Sequence, residues 1–287
     1  MSKIAVLSID VEDWYHLEYF QKLNCDKSQK ILAEGTYNFL DLIQNEKIKA
    51  TFFVVGEEIN NYTELIEQIK KDGNELAAHS YTHTRPLIQS IKDFTYESSK
   101  VKSELEKLLG VEGIGYRAPC FSLDINRYEK LKELGYKYDS SKINAGFHPL
   151  YGELNLNASS TFFDNVFKED HFYEFELPTV KFLGRNIPIS GGGWIRILPW
   201  PLYKYLIKKF ISTSNTFFFF IHPFELTSSN INLPKEASLL MKMRFSIGRK
   251  KGLKRTKKLI DLLRNNGFIF HSFNSLINLN EQNERSY

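Results

Sequence analysis

Short apolar, β-branched runs alternate with helical patterns from Ile4 to Asp139, and this alternation constrains the fold more than any other feature of the chain. The first run, Ile4 to Ile9, is too short for a helix and reads as a strand buried on both faces. Ile31, Leu32, Phe39, Leu40 and Ile43 then keep helical spacing, and "ATFFVVG" is a buried strand stopped by Gly56. A helix from about Glu64 to Lys71 ends at Gly73, "ELAA" follows as a strand, and Phe94, Val101, Leu105 and Leu108 mark a longer helix ended by Gly110. "GIGYR", a helix from about Ile125 to Leu134 ending at Gly135, and "YKYD" complete the series. Strands alternating with helices in this way predict a parallel sheet.

The middle of the chain, about Ser140 to Ile197, is richer in Gly, Asn and Pro, yet holds the strand-like "YEFELP". A helix opened by Pro201, the strand "TFFFFIH", a helix from about Leu253 to Arg264 and a last strand "FIFHS" follow. About seven strands with intervening helices favour a barrel-like α/β sheet over an open one. The 287 residues suit either two small domains or one α/β barrel, and the expectation is one domain over residues 1–277 with a frayed polar tail, 278–287.

Composition excludes several function classes. Hydrophobic residues make up 42% and aromatics 14%, enough for a large core and incompatible with a wholly disordered chain. A net charge of +4 from 38 basic and 34 acidic residues is too balanced to imply nucleic acid. Two cysteines, Cys25 and Cys120, make no disulfide framework and fit a reducing compartment. Lys3 is followed by too few apolar residues for a signal peptide, and "FFFFI" is far short of a membrane helix, so a soluble, cytoplasmic protein is expected.

The polar clusters fall where the strands end, which in α/β barrels is where the chemistry sits. Asp10, Glu12 and Asp13 follow the first strand, His79 and His83 the third, Arg117 the fourth, Asp139 the fifth, and His222 the Phe run. "HSYTH" places two imidazoles at i and i+4, which on a helical turn project from one face and can bind one metal ion. Histidines at this spacing are common on surfaces, and three acids at a strand end also suit a solvated loop or an oxygen-bound divalent cation. Together, two histidines and a carboxylate leave an open position for water, the arrangement of a hydrolytic metal centre.

These motifs, in this order, resemble the polysaccharide deacetylase family, also called the NodB-homology or carbohydrate esterase 4 family. "SIDVED" resembles its first motif, "TFFVVG" its second strand, "HSYTH" its metal motif, "RAPCF" its Arg-x-Pro motif and "FFFFIHP" its last catalytic strand, over roughly Ile4 to Ser272. "DVEDW", "YDSS", "SGGGWIR" and "HPFE" are similar to the branch containing peptidoglycan deacetylases and allantoinase-like enzymes. The resemblance implies a distorted (β/α)7 barrel and a hydrolase of amide bonds that depends on Zn2+ or another divalent transition metal.

By the same resemblance His79, His83 and one carboxylate hold the metal, Asp10 is the base, His222 protonates the leaving amine, and Arg117 pairs with Asp10 and favours its charged form. The backbone N–H of Cys120, after Pro119, corresponds to the family's oxyanion donor. Many members have adjacent aspartates, whereas Asp10 is followed by Val11, so the metal carboxylate is either Glu12, on the same side as Asp10 by strand alternation, or Asp13, if the strand is already turning. Asp139 and Glu176 either orient His222 or Arg117 or are ordinary polar strand ends.

Three readings of function follow. The first is de-N-acetylation of an N-acetylated saccharide, nucleotide- or lipid-linked, in bacterial surface-polysaccharide synthesis. The second is an allantoinase-like hydrolase of small cyclic amides, and the third an inactive saccharide-binding barrel. The Gly192 region of "SGGGW" is expected to let the backbone pass close to a sugar, with Trp194 as a stacking platform and Arg196 and Pro119 as further contacts. Cys120 is expected to be a packed residue rather than a nucleophile. His16, His148, His171 and His271 are expected to be structural or exposed. "RKKGLKRTKK" carries seven basic residues and reads as a solvated helix face or as a peripheral contact with an anionic membrane.

Overall fold

The computed structural model describes residues 2–284 apart from 147, 157, 158 and 162. The strands are β1 (Lys3–Val11), β2 (Thr51–Val54), β3 (Glu75–Ala78), β4 (Gly115–Tyr116), β5 (Tyr138–Asp139), β6 (Ser159–Ser160), β7 (Val166–Glu169), β8 (Phe172–Phe175), β9 (Thr179–Phe182), β10 (Arg185–Pro188), β11 (Thr216–Ile221) and β12 (Phe268–His271). The helices are α1 (Leu32–Asn45), α2 (Gly56–Ile59), α3 (Thr63–Lys71), α4 (Ile91–Leu109), α5 (Ile125–Glu133), α6 (Gly192–Ile197), α7 (Trp200–Ile211), α8 (Leu239–Ser246), α9 (Gly252–Arg264) and α10 (Phe273–Glu284).

The main sheet runs β11-β1-β2-β3-β4-β5-β8 with every neighbouring pair parallel, then turns antiparallel through β7 and β6. β12 pairs with the first half of β1 on the edge that β2 takes over further along. β1 is thus flanked on both edges, and both its faces are covered, which is why its sequence is mostly apolar.

The sheet curls, and no ladder joins β8 back to β11 among the described residues. Hydrogen bonds bridge the gap: Asn165 Nδ2 donates to Thr216 Oγ1 at 3.1 Å, Thr216 Oγ1 to the Asp164 carbonyl at 2.6 Å, and Asp164 and Asn215 bond each other. The result is the distorted barrel expected from the motifs, closed on this side by these bonds and by a single parallel bridge of Gly191 to Phe220, where Phe220 N donates to the Ser190 carbonyl at 2.8 Å.

Period-2 alternation along β1 sorts its residues into two cores. Ala5, Leu7, Ile9 and Val11 pack with α1, α3, α4, α7 and α9, whereas Ile4 and Val6 face inward onto Phe53, Phe175, Phe218 and Phe273. Ser8 and Asp10 continue the inward row. The inside of the curled sheet is therefore apolar at one end and polar at the end where the parallel strands finish.

Residues 278–284 are not frayed. They continue α10, whose Phe273, Leu276 and Ile277 plug the apolar end of the barrel, and Asn280 is also buried. Glu75 secures the start of that helix, accepting from Asn274 N at 3.0 Å. The polar composition of the tail concealed a helix held by tertiary contact.

Candidate active site

Asp10 stands at the end of β1 with its two carboxylate oxygens in different environments. Oδ1 accepts from Arg117 Nη1 at 2.7 Å, and Oδ2 lies 4.0 Å from His79 Nε2 and 3.9 Å from His222 Nε2. Arg117, completely buried, is itself fixed by Ser8 Oγ, Ser140 O and Ser140 Oγ at 3.0–3.2 Å and lies 4.0 Å over the Phe53 ring. A guanidinium with several donors committed holds one carboxylate oxygen in place and leaves the other facing the cavity.

Glu12, not Asp13, joins the histidines. Glu12, His79 and His83 offer ligand atoms all within 4.8 Å of one another, with Glu12 Oε2 2.5 Å from His83 Nε2. The Asp13 carboxylate accepts from the backbone N–H groups of Trp14, Ile31 and Leu32 at 2.8–3.3 Å, so it caps the following turn and anchors the entry to α1. Its ligand capacity is spent on backbone donors, which corrects the alternative that the sequence left open.

The histidine pair is not helical. Residues 79–83 form a loop after β3 with left-handed backbone at Ser80 and His83 (φ 58° at both), and Ser80 Oγ accepts from His83 N at 2.9 Å. The loop brings the two rings to 4.9 Å, so the pairing expected of a helical turn is achieved by a strained turn. His79 Nδ1 donates to the Arg117 carbonyl at 2.8 Å, leaving Nε2 with a free lone pair toward the cluster. Burial pushes the His79 imidazole down to about 4, the neutral form that a ligand needs. Burial would raise the Glu12 carboxyl, but the adjacent His83, with His222 and His79, holds it at about 2.

His16, Glu57 and Glu58 also lie within 4.8 Å of one another, yet their hydrogen bonds argue against a second metal. His16 Nδ1 accepts from the Asp13 backbone N–H at 3.0 Å, so the ring proton sits on Nε2, which donates to Glu57 at 2.8 Å. His16 is structural, as expected from the sequence.

His222 closes the site from the end of β11. Its Nε2 lies 3.5 Å from Glu12 Oε1, and its Nδ1 contacts Glu225 Oε2 at 3.1 Å. Burial opposes the charged ring, but the Glu225 hydrogen bond and the charges of Glu225, Glu12 and Asp10 outweigh it and push His222 up to about 9. Glu225 is held in turn by Arg196 Nε at 2.7 Å.

Arg196 lines the cavity, and its guanidinium is committed inward: its other nitrogens donate to the carbonyls of Arg244, Phe245 and Ile247. It acts through Glu225 on His222. Gly192 serves the same group, because a Cβ there would fall 1.8 Å from Glu225 Oε2, while Gly191 and Gly193 beside it line the cavity. Gly35 of α1 and Gly252 of α9 approach the backbone of the same turn as closely, so three glycines enclose residues 223–225. Glu225 closes the "HPFE" motif, and its spacing three residues after His222 is the sequence signal for its contact with that ring.

Removing the Glu225 charge has a defined consequence. The acid form of His222 is fully present below its pKa and lost as pH rises through it. Glu225→Gln is expected to lower that pKa toward ~6.5 and to move the basic limb of the pH–rate profile to lower pH. Rates measured across pH on both proteins test this, and an unmoved limb would show that Glu225 does not act through His222.

Asp139 and Glu176 orient neither His222 nor Arg117 directly. Asp139 accepts from Ser141 Oγ at 2.7 Å, and Ser141 Oγ accepts from Ala118 N at 2.8 Å, so the aspartate braces the strand end beside Arg117. Burial pushes Asp139 up to about 6 and its neighbour Glu174 well above the ordinary range. Glu176 pairs with Lys142 at 2.5 Å.

Above these groups opens a cavity of about 340 Å³ lined by Asp10, Glu12, both metal-motif histidines, Cys120, Trp194 and His222 among others. Trp194 lies at its mouth, and His148, expected to be structural or exposed, is instead in the wall, stacked on Tyr151 at 3.8 Å. Pro119 is buried and stands outside the lining, while its neighbours Ala118 and Cys120 are within it. Cys120 has left-handed backbone (φ 53°), and burial pushes its thiol up, which leaves no thiolate for nucleophilic chemistry.

Residues 23–138 match the polysaccharide deacetylase family, and residues 140–278 match a domain of unknown function, DUF3473. A peptidoglycan deacetylase from Helicobacter pylori is 30% identical over 117 residues, 41% of this chain and 40% of that relative, so the match spans less than half of its length. The crystal structure of a putative polysaccharide deacetylase from Mycobacterium smegmatis aligns with TM-score 0.60 at 15% identity, over 99% of this chain and 92% of that one. A carbohydrate esterase 4 pseudoenzyme from Bacillus anthracis gives TM-score 0.54 at 12% identity, over 96% and 66%. The first match contains His79, His83 and Cys120 and the second Arg196, His222 and Glu225, yet these residues line a single cavity. With this motif order and this match, residues 23–138 belong to the polysaccharide deacetylase family, also called NodB-homology or carbohydrate esterase 4, and the whole chain takes the curled-sheet fold of the solved structures it aligns with.

Proposed function

We propose that the chain hydrolyses the N-acetyl amide of a saccharide at this cavity, with Glu12, His79 and His83 holding a divalent transition metal such as Zn2+. The convergence of Asp10, Glu12, His79, His83 and His222 from three strand ends carries the proposal. The donor set fits such an ion: two imidazoles and a carboxylate are the protein ligands of hydrolytic zinc sites. Glu12 Oε2 is buried without an aligned hydrogen bond, and His79 turns an unprotonated nitrogen to the same point.

A bound metal would polarise the acetyl carbonyl and lower the pKa of water. Asp10 Oδ2, kept free by the Arg117 bond to Oδ1, accepts the proton of the attacking water. His222 delivers a proton to the amine nitrogen as the C–N bond breaks, with Glu225 and Arg196 setting its position and charge. The Cys120 N–H is the candidate donor to the carbonyl oxygen as negative charge develops there. Acetate and the free amino sugar are the products.

The exposed Trp194 and the stacked His148–Tyr151 pair offer flat apolar walls suited to a sugar ring, which favours a saccharide over a small cyclic amide. Acetate release from N-acetylglucosamine oligomers and from nucleotide- and lipid-linked N-acetyl sugars tests the proposal. Acetate from one of these establishes the activity and names the carrier. Turnover of cyclic amides alone would overturn it in favour of the ureide reading, and no turnover with intact metal would favour the saccharide-binding barrel.

A further inference from the structure

Helix α8 exposes its apolar side. Leu239, Leu240 and Met243 are 75%, 58% and 47% exposed, although Phe245 of the same helix is buried in a stack on Phe224 at 5.3 Å. The apolar surface does not stop at the helix. Arg196 bonds to the carbonyls of residues 244, 245 and 247 bring Ile247 beside α6, where Ile197 and Trp194 are also exposed. Arg255 Nη1 donates to the carbonyls of Ile195, Arg196 and Leu198, which ties the first turns of α9, where Leu253 is exposed as well, to the same helix. Trp194, Ile197 and Arg244 line the active-site cavity, so this contiguous patch reaches its mouth. Exposed apolar patches of this kind mark interaction surfaces.

The charge along the segment that carries most of the patch has one sign. Residues 239–258 hold nine Lys and Arg and no Asp or Glu; Glu236 lies just ahead of them. Arg249 and Arg255 are spent on backbone carbonyls and Lys257 on Glu46. Lys250, Lys251 and Lys254 are exposed and form no ion pair among the described residues. The ten-residue basic segment is thus part internal scaffold and part uncompensated surface charge.

We propose that this surface docks on an anionic lipid bilayer and holds the cavity mouth at the membrane, so that the saccharide substrate is one carried on a lipid. The docking rests on the patch alone; the substrate class rests on the deacetylase reading. A short helix with leucine and methionine outward, an aromatic residue at the border of the patch and free lysines beside it has the two signals, apolar and electrostatic, that interfacial attachment requires. A second copy of the chain would set two basic rims against each other, which charge complementarity disfavours.

Sedimentation with vesicles of phosphatidylglycerol and phosphatidylcholine, beside phosphatidylcholine alone, is the test. Wild type is expected to bind the anionic vesicles preferentially and to weaken as salt rises. Leu239→Ser, Leu240→Ser and Met243→Ser together should lose at least about tenfold in binding. Lys250→Glu, Lys251→Glu and Lys254→Glu should lose roughly fivefold or more per position. Both variants should release acetate from a soluble N-acetylglucosamine oligomer as wild type does, which shows that they fold.

Absence of vesicle binding, or binding unaltered in both variants, would overturn the docking. So would a dimer in light scattering that the serine variant abolishes, since the patch would then belong to a second copy. Vesicle binding without acetate release from any sugar would sustain the docking and overturn the deacetylase reading alone.

Discussion

His79→Ala is expected to purify without stoichiometric metal and to release no acetate, and His83→Ala is expected to behave in the same way. Each substitution removes one of only two nitrogen donors in a cluster whose third donor is a single carboxylate. Changes to outer-shell partners alone cost 10- to 100-fold in affinity, so loss of a direct ligand should exceed about 100-fold. Elemental analysis beside a thermal melt separates a lost ligand from a lost fold. Asp13→Ala supplies the contrast: without the carboxylate that caps residues 14, 31 and 32 it should be about 0.5–2 kcal/mol less stable, yet retain its metal. Metal retained at full stoichiometry in the double-histidine variant would refute the assignment.

Asp10→Asn should keep the metal and lose activity by about 10²- to 10⁴-fold, the range for removing a general acid or base. The amide preserves shape and can still accept from Arg117 at the Oδ1 position, but it cannot take a proton from water. Loss of the negative charge also leaves the Arg117 guanidinium, fully buried, without its counter-ion, so lower stability is expected alongside. Metal content and single-turnover acetate release distinguish the two effects. A variant that is folded, metal-loaded and fully active would show that Asp10 is not the base.

The glycines around residues 223–225 show how far a site can depend on residues without functional groups. Gly35, Gly192 and Gly252 come from three helices distant in sequence, and each leaves room for the turn that carries Glu225. A methyl group at Gly192 would meet the carboxylate that polarises His222. Such positions are invisible in a motif search for titratable residues, because what matters is an absent Cβ and a neighbour nearly thirty residues away or more.

Much of the frame was legible in the chain itself. Buried parallel strands read as apolar runs because both faces are covered, and helices between them repeat every three to four residues, so the strands up to β5 and then β8, β11 and β12 were located from pattern alone. Strand ends also marked Asp10, His79, His83, Arg117 and His222, since polar groups that interrupt such runs need partners there. These are local properties, determined by the sequence within a few residues of each position. The choice of Glu12 over Asp13, the left-handed turn that pairs His79 with His83, the inward duty of Arg196, and the helix made from the polar tail were decided only by tertiary structure. Each depends on which backbone amide, carbonyl or apolar core arrives from a distant segment: Asp13 is committed because Ile31 and Leu32 present their N–H groups to it, and α10 is ordered because the barrel interior buries Phe273, Leu276 and Ile277.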